Sequence, residues 1–306
     1  PLACLISKVK TTPLDSRRLS QCLDLLRRIK NNLNVVYGQR TLTDGDEVLL
    51  EPEIPDFRNR EYWFEPHVLN ELGVIKAHID RLPDKDLRDF CLVGLSGIII
   101  KVSNQQHETR YRRVDKKIKT FEVYESLKEK LTDIINRMEN FGKVASNVPC
   151  RIFCEDLRFS TSVKDEEADL IVTSPPYLNA WDYNLYQRFR FYWLGFNPLD
   201  FRNAEIGAHL KHSYIDNSVR KYANDMKLCL KQMHRMLRTD AICCIVVGES
   251  FVQGKRVEVS EILINTAIEL GFTLERRVQK EIFGPHFAQP RSAGDKVESI
   301  ITLRKS

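Results

Sequence analysis

Apolar positions in the first half of the chain recur at helical spacing. Between residues 15 and 32, Leu19, Cys22, Leu23, Leu25, Leu26 and Ile29 follow a 3.6-residue period and predict an amphipathic helix. Residues 66–80 carry a similar pattern, with Pro66 suited to a first helical turn, where a missing N–H breaks no bond. Residues 84–102 and 121–141 also predict helices, and 33–61, rich in Asp, Pro, Asn and Arg, predicts a loop. The texture changes near residue 148. Beyond it, short apolar runs at 151–154, 169–173 and 241–247 predict strands, and the more alternating runs 273–282 and 297–303 predict two more. Helical patterns at 183–195, 217–238 and 257–270 separate them, the last followed by Gly271 as a helix-ending residue. Strands alternating with helices predict a largely parallel α/β sheet, with ligands at the carboxyl ends of its strands. The last two strands, joined without a helix, predict an antiparallel hairpin at a sheet edge.

Composition narrows this little. The 306 residues are 42% hydrophobic and 29% charged, ordinary for a globular protein with a core of normal size. No apolar run approaches the roughly 20 residues of a membrane span. Residues 1–8 lack the basic-then-apolar layout of a signal peptide. The eight cysteines are scattered. Cys150 and Cys154 form the one close pair, without further Cys or His at zinc-like spacing, so no metal site is expected. Cys243 and Cys244 lie in an apolar run as core thiols, and reduced thiols suit a cytoplasmic protein.

The net charge of +5 permits a polyanionic partner without demanding one. Its distribution says more. Arg110, Arg112, Arg113, Lys116, Lys117 and Lys119 crowd a short stretch against only Glu108 and Asp115. That stretch is either a solvated basic face or a surface for phosphates, and the second makes it the candidate DNA-binding patch. A second set, Lys211, Arg220, Lys221, Lys227, Lys231 and Arg235, reads as the soluble face of a helix.

The chemistry sits after the strand predicted at 169–173. It runs straight into Ser174-Pro175-Pro176-Tyr177, which therefore falls at the carboxyl end of a sheet strand. An exocyclic amine of a nucleobase is a poor nucleophile, because its lone pair is delocalised into the ring. A catalyst must hold it with acceptors that draw the nitrogen toward tetrahedral geometry. Ser174 offers a side-chain oxygen and Pro175 a carbonyl. Two prolines fix φ and remove N–H donors, which makes a stiff loop with carbonyls turned outward. Tyr177 offers a ring on which a flipped-out base can stack. Holding the amine in line with a methyl donor then supplies much of the rate.

The stretch from Thr173 to Tyr183, Thr-Ser-Pro-Pro-Tyr-Leu-Asn-Ala-Trp-Asp-Tyr, resembles the catalytic motif of bacterial and archaeal N4-cytosine/N6-adenine DNA amino-methyltransferases. Tyr192-Trp193-Leu194-Gly195 looks like that family's next helix. Val246-Val247-Gly248-Glu249-Ser250 is similar to its Val-Gly-Asp-Ser stretch, and Trp63-Phe64-Glu65-Pro66 to a Trp-Phe-x-Pro segment. The resemblance implies an S-adenosyl-L-methionine (AdoMet)-dependent enzyme without a metal, acting on double-stranded DNA with a flipped base, in a restriction–modification or phage-defence setting. It implies catalytic roles for Ser174, Pro175, Pro176 and Tyr177, and base-binding roles for Asn179, Asp182 and Tyr183. Asn179 either touches the base or caps the next helix. Asp156 and Thr173 are implied on the cofactor side, Asp156 through a likeness of Asp156-Leu157-Arg158 to the family's Asp-x-Arg. The serine form of the motif leans toward cytosine N4 over adenine N6. Methylation of RNA by the same chemistry, and a non-catalytic DNA-binding module, remain as alternatives.

The implied fold is α/β, a Rossmann-like class I methyltransferase sheet, incomplete on its N-terminal side, with a largely helical inserted domain. Residues 1–12 would open the core, 13–148 would be the insertion and candidate target-recognition region, and 149–306 the catalytic core. The family's Gly-rich AdoMet loop has no counterpart here. Gly94-Leu95-Ser96-Gly97 lies in a helical pattern and reads as packing. The first residues resemble the family's segment just after its ribose-binding acid, so the loop is expected upstream or on a second chain, and this chain alone is expected to bind AdoMet poorly.

Overall fold

The computed structural model describes residues 1–39, 49–145, 148–178, 182–202, 204–207, 215–252, 255–281 and 297–306. They form two compact units, Pro1–Cys154 with Asn184–Phe201, and Glu155–Tyr183 with Arg202–Ser306.

The first unit is helical. It holds α1 (Leu2–Thr11), α2 (Ser16–Val36), α3 (Arg60–Trp63), α4 (Pro66–Asp80), α5 (Lys85–Val102), α6 (Glu122–Val144), α7 (Tyr183–Trp193) and α8 (Pro198–Arg202). Asp15 caps α2 by accepting the Arg18 N–H at 2.8 Å, and Asp84 caps α5 by accepting the N–H groups of Asp86 and Leu87. Helix α6 has no such cap of its own, since Phe121 stands at φ 68°. Glu71 of α4 supplies one instead. Its buried carboxylate accepts the Phe121 N–H at 2.6 Å and the Tyr124 N–H at 3.3 Å. Burial raises its pKa against the opposing pull of those two bonds. Leu25, Ile29, Leu72, Ile75, Leu87 and Leu95 are fully buried in the core between these helices. Each contributes about 1.5–3 kcal/mol of burial free energy. Gly94 and Gly97 let α6 lie close to α5, for a Cβ at Gly94 would come within 2.6 Å of Leu131 and one at Gly97 within 2.8 Å of Lys130. Their reading as packing residues holds.

The stretch around the basic cluster holds a short antiparallel hairpin, β1 (Gln105–His107) and β2 (Arg110–Arg113). Its charged residues carry no strand pattern. Tyr111 anchors it, with its ring centroid 4.6 Å from that of Trp63 and 5.8 Å from that of Phe189.

The second unit is built on a mixed sheet. Its elements are β3 (Ala168–Thr173), α9 (Ile215–Met236), β4 (Leu237–Gly248), a small antiparallel pair β5 (Ser250–Val252) and β6 (Lys255–Val257), α10 (Val259–Glu269), β7 (Phe272–Glu281) and β8 (Val297–Lys305). The main sheet runs β3-β4-β8-β7. Only the β3–β4 neighbours are parallel; β8 is antiparallel to both β4 and β7. The expectation of a largely parallel sheet is thereby corrected. The expected hairpin of the last two strands is present, but β8 enters the sheet between β4 and β7 and leaves only β7 at the edge.

The strand expected at 151–154 is a second correction. These residues are irregular and belong to the first unit, with Ile152 and Phe153 exposed. A strand needs a neighbour for its backbone groups, and no described strand pairs with this one.

The two faces of the main sheet differ. On one, Cys243, Ile245, Val247, Ile301 and Leu303 are fully buried together with α9 and α10 side chains such as Leu230 and Leu263. On the other, Leu170 is 57% exposed, Val172 68% and Ile300 39%. Strand β3 also has β4 on one side only, which leaves its other edge without a strand among the described residues.

Candidate active site

Strand β3 ends at Thr173, which is half-buried and paired with Ile245 of β4. The chain then enters Ser174–Leu178 at the carboxyl end of the β3–β4 pair, where the sequence places it. Ser174 is exposed, Pro175 buried, Pro176 and Tyr177 half-buried, and Leu178 buried.

Three side chains from other elements hold this loop. The Tyr222 hydroxyl, on α9, donates to the carbonyl of Pro176 at 3.1 Å. The Tyr177 hydroxyl donates to Oε1 of Glu298, on β8, at 2.9 Å. The Ser250 hydroxyl, on β5, donates to the carbonyl of Leu178. The outward-turned carbonyls expected of a proline loop are thus partly committed, because neighbouring elements supply hydroxyl donors where no strand does. Gly248 completes the seat. A Cβ there would lie 2.9 Å from Cε2 of Tyr177 and 3.0 Å from its Cδ2, so only glycine leaves room for the ring. Burial raises the Tyr177 phenol pKa; a hydrogen bond with Ser174 lowers it, and the Glu298 carboxylate raises it further.

Beside this seat lies a buried polar cluster. The Glu249 carboxylate accepts from the N–H and hydroxyl of Ser260 at the start of α10, and from the Ser299 hydroxyl at 3.3 Å, with the Arg277 guanidinium 3.6 Å away. Gly248, Glu249 and Ser250 fall in a stretch that the sequence singled out, but their contacts were not legible there. Tyr222 and Glu298 had no sequence signal.

The other expected site residues are dispersed. Asn179 lies outside the described residues. Asp182 is half-buried. Tyr183 is exposed at the start of α7, and its N–H donates to Glu205 at 2.6 Å. Asp156 caps a 3-10 turn at Leu157–Phe159 and binds the Arg158 guanidinium at 2.5 Å. Arg158 also meets Asp225 at 2.7 Å, and it holds the Asp156 carboxyl below its ordinary range. Asp156 is therefore engaged inside the unit. The glycine cluster Gly94–Gly97 packs α5 against α6.

In the basic stretch, Arg110 and Arg112 on β2 are exposed, as are Lys117 and Lys119. Arg113 donates to the carbonyl of Tyr62 at 2.9 Å and lies over its ring. Lys116 departs from the expected phosphate contact. Its ammonium donates to the carbonyl of Ile100 at 2.7 Å and caps the end of α5, and burial lowers its pKa. In the second basic set, Lys221, Lys227 and Arg235 pair with Asp225, Glu269 and Asp165, as a solvated helix face would; Lys211 lies outside the described residues. Among the described residues no group of three His, Cys, Asp or Glu side chains could hold a metal ion, and no helix is long and apolar enough to cross a membrane.

No family model matches the chain. Over 248 residues it is 26% identical to the type II methyltransferase M.MvaI of Kocuria varians, covering 73% of this chain and 52% of that one. Over 215 residues it is 24% identical to the type II methyltransferase M.MjaII of Methanocaldococcus jannaschii, covering 61% of this chain and 40% of that one. The chain thus spans about half the length of the curated relatives it matches. Among solved structures, TTHA0409 of Thermus thermophilus, a candidate DNA modification methylase crystallised with S-adenosyl-L-methionine, aligns with a TM-score of 0.31 at 17% identity, over 47% of this chain and 48% of its own. By sequence, the chain is similar to two type II DNA methyltransferases over most of its length.

Proposed function

We propose that this chain carries the base-handling half of an AdoMet-dependent DNA amino-methyltransferase, with cytosine N4 favoured over adenine N6 as the target. One observation carries the reading: Ser174–Tyr177 stands at the carboxyl end of β3, with Ser174 open to solvent and the loop behind it held by Tyr222, Glu298 and Ser250. A neutral hydroxyl aimed at an exocyclic amine, on a loop too stiff to follow it, favours the pyramidal nitrogen that attack requires. Tyr177 would stack on the flipped base. Asp182 and Tyr183 would line the same loop, and Asn179 would touch the base. Arg110, Arg112, Lys117 and Lys119 would meet phosphates, with Arg113 in support, and residues 13–148 would carry target recognition.

AdoMet supplies the methyl group, and its binding element is a Gly-rich segment or second chain outside the described residues. The uncovered face and free edge of β3 are where such an element would pack. The enzyme would work in the cytoplasm of a bacterium or archaeon, in restriction–modification or phage defence. A non-catalytic DNA-binding module is the second reading, favoured by the pairing of Asp156 with Arg158 in place of an acid open to a cofactor.

The test is methyl transfer to matched DNA and RNA by this chain together with the AdoMet-binding element. DNA methylation abolished in the Ser174→Ala, Tyr177→Ala double variant, with folding kept, is the expected result. Full activity in that variant would sink the assignment, and binding without transfer would leave the second reading. Calorimetry on this chain alone should show no micromolar AdoMet binding.

A further inference from the structure

We infer that Glu298 is a positioning residue, whose carboxylate sets the plane in which Tyr177 offers its ring to a base. The inference rests on the base-handling reading of the loop. Gly248 and Glu298 face each other directly across the β4–β8 ladder. Tyr177 bridges that pair. The Cδ2–Cε2 edge of its ring fills the space that a side chain at position 248 would need, and its hydroxyl donates to Glu298 at 2.9 Å. The backbone on either side is fixed independently, by Tyr222 on the carbonyl of Pro176 and by Ser250 on that of Leu178.

These anchors fix the backbone and leave Tyr177 the rotation of its ring and the tilt of its side chain, which its contacts with Glu298 and Ser174 restrain. The phenol oxygen is the farthest point from the Cα, so a bond there has the longest lever on that freedom. The hydroxyl donates and the Glu298 Oε1 accepts. A base stacks on a ring whose plane is already set without ordering it during binding. Glu298 touches no reacting atom in this scheme and acts only through Tyr177. Because the backbone anchors do not involve it, removing its carboxylate should loosen the ring, leaving it only the Ser174 contact, without releasing the loop.

The experiment uses the full chain carrying 3-fluorotyrosine, with the Tyr177 fluorine resonance assigned from Tyr177→Phe. Glu298→Ala and Glu298→Gln are compared before and after titration with mixed dA/dC single-stranded octamers. In the free protein, Glu298→Ala should broaden or split the Tyr177 resonance while the melting temperature holds. Glu298→Gln keeps an acceptor and should restore a single line. With octamer, the wild-type and Gln resonances should shift, and Ala should bind about tenfold more weakly, the scale of one degraded stacking contact. An unchanged Tyr177 line and unchanged affinity in Glu298→Ala would overturn the positioning role. A wild-type Tyr177 line that ignores every octamer would instead overturn the base-handling reading, and the role proposed for Glu298 with it. Should Glu298→Ala fail to fold, Tyr177→Phe removes the phenol that binds Glu298, and with it the Ser174 contact, without touching β8. Its octamer affinity should fall as predicted for Ala, and an unchanged affinity would overturn the proposal.

Discussion

At the scale of single residues, two glycines make opposite predictions. A Cβ at Gly248 would collide with the Tyr177 ring at 2.9 Å, and the ring cannot retreat without leaving Glu298. Gly248→Ala should therefore cost about 1–3 kcal/mol, the range for overpacking a filled site, and displace Tyr177. Gly142, in α6, has nothing within 4 Å of the same added atom. Gly142→Ala should stabilise by about 0.5–1 kcal/mol, because alanine loses less backbone entropy in a helix. Paired thermal melts check both, and a harmless Gly248→Ala would mean that the seat of Tyr177 is loose. The contrast also explains what the sequence could reveal of the site. Ser174-Pro175-Pro176-Tyr177 is four consecutive residues whose chemistry can be read in place. The partner that fixes Tyr177 lies 121 residues away, in an alternating strand where Glu298 looks like any solvent-facing acid.

At the scale of elements, a buried histidine ties α4 to α2. Asn32 Oδ1 already accepts the Leu50 N–H at 2.9 Å, so it must also accept from His78 Nε2, 3.0 Å away, and the ring is neutral with its proton there. Burial pushes the His78 pKa down to about 4, helped by Arg28 and Arg81. A base whose folded pKa is depressed binds its proton more readily when unfolded. Its contribution is intact above about pH 6.5, the unfolded value, and is lost progressively as pH falls toward and through 4. The loss should reach about 3 kcal/mol. His78→Gln can still donate to Asn32 and should flatten the stability profile between pH 6.5 and 4. Denaturant melts across that window measure it, and an unaltered slope would assign the acid sensitivity elsewhere. The helices that carry these residues were legible because a 3.6-residue period persists over many turns. Strand neighbours were not. Period-two alternation in 297–303 says which face is buried but not that β8 enters between β4 and β7, and apolarity at 151–154 cannot supply a pairing partner.

For the whole molecule, an excess of positive charge and an uncovered apolar face make separate predictions. The charge excess is small, +5 over 306 residues, so any salt-dependent DNA affinity must come from its local concentration. Replacing Arg110, Arg112 and Lys119 with Ala should weaken binding and reduce the slope of log K against log salt by about 0.9 per lost phosphate contact. Lys116→Ala should instead lower stability, since its ammonium caps α5. An unchanged salt slope in the triple variant would remove the hairpin from the interface. The apolar face concerns self-association. Leu170 and Val172 are 57% and 68% exposed on one side of β3, and among the described residues no strand pairs with its outer edge. Apolar side chains on an open strand edge are a template for pairing with another chain. The isolated chain should therefore associate as its concentration rises, seen as a growing sedimentation coefficient. Leu170→Lys with Val172→Lys should suppress that association at little cost in melting temperature, because neither side chain is buried in the fold. A large drop in melting temperature would show that this face is covered within the chain itself, and unchanged association would place the contact elsewhere.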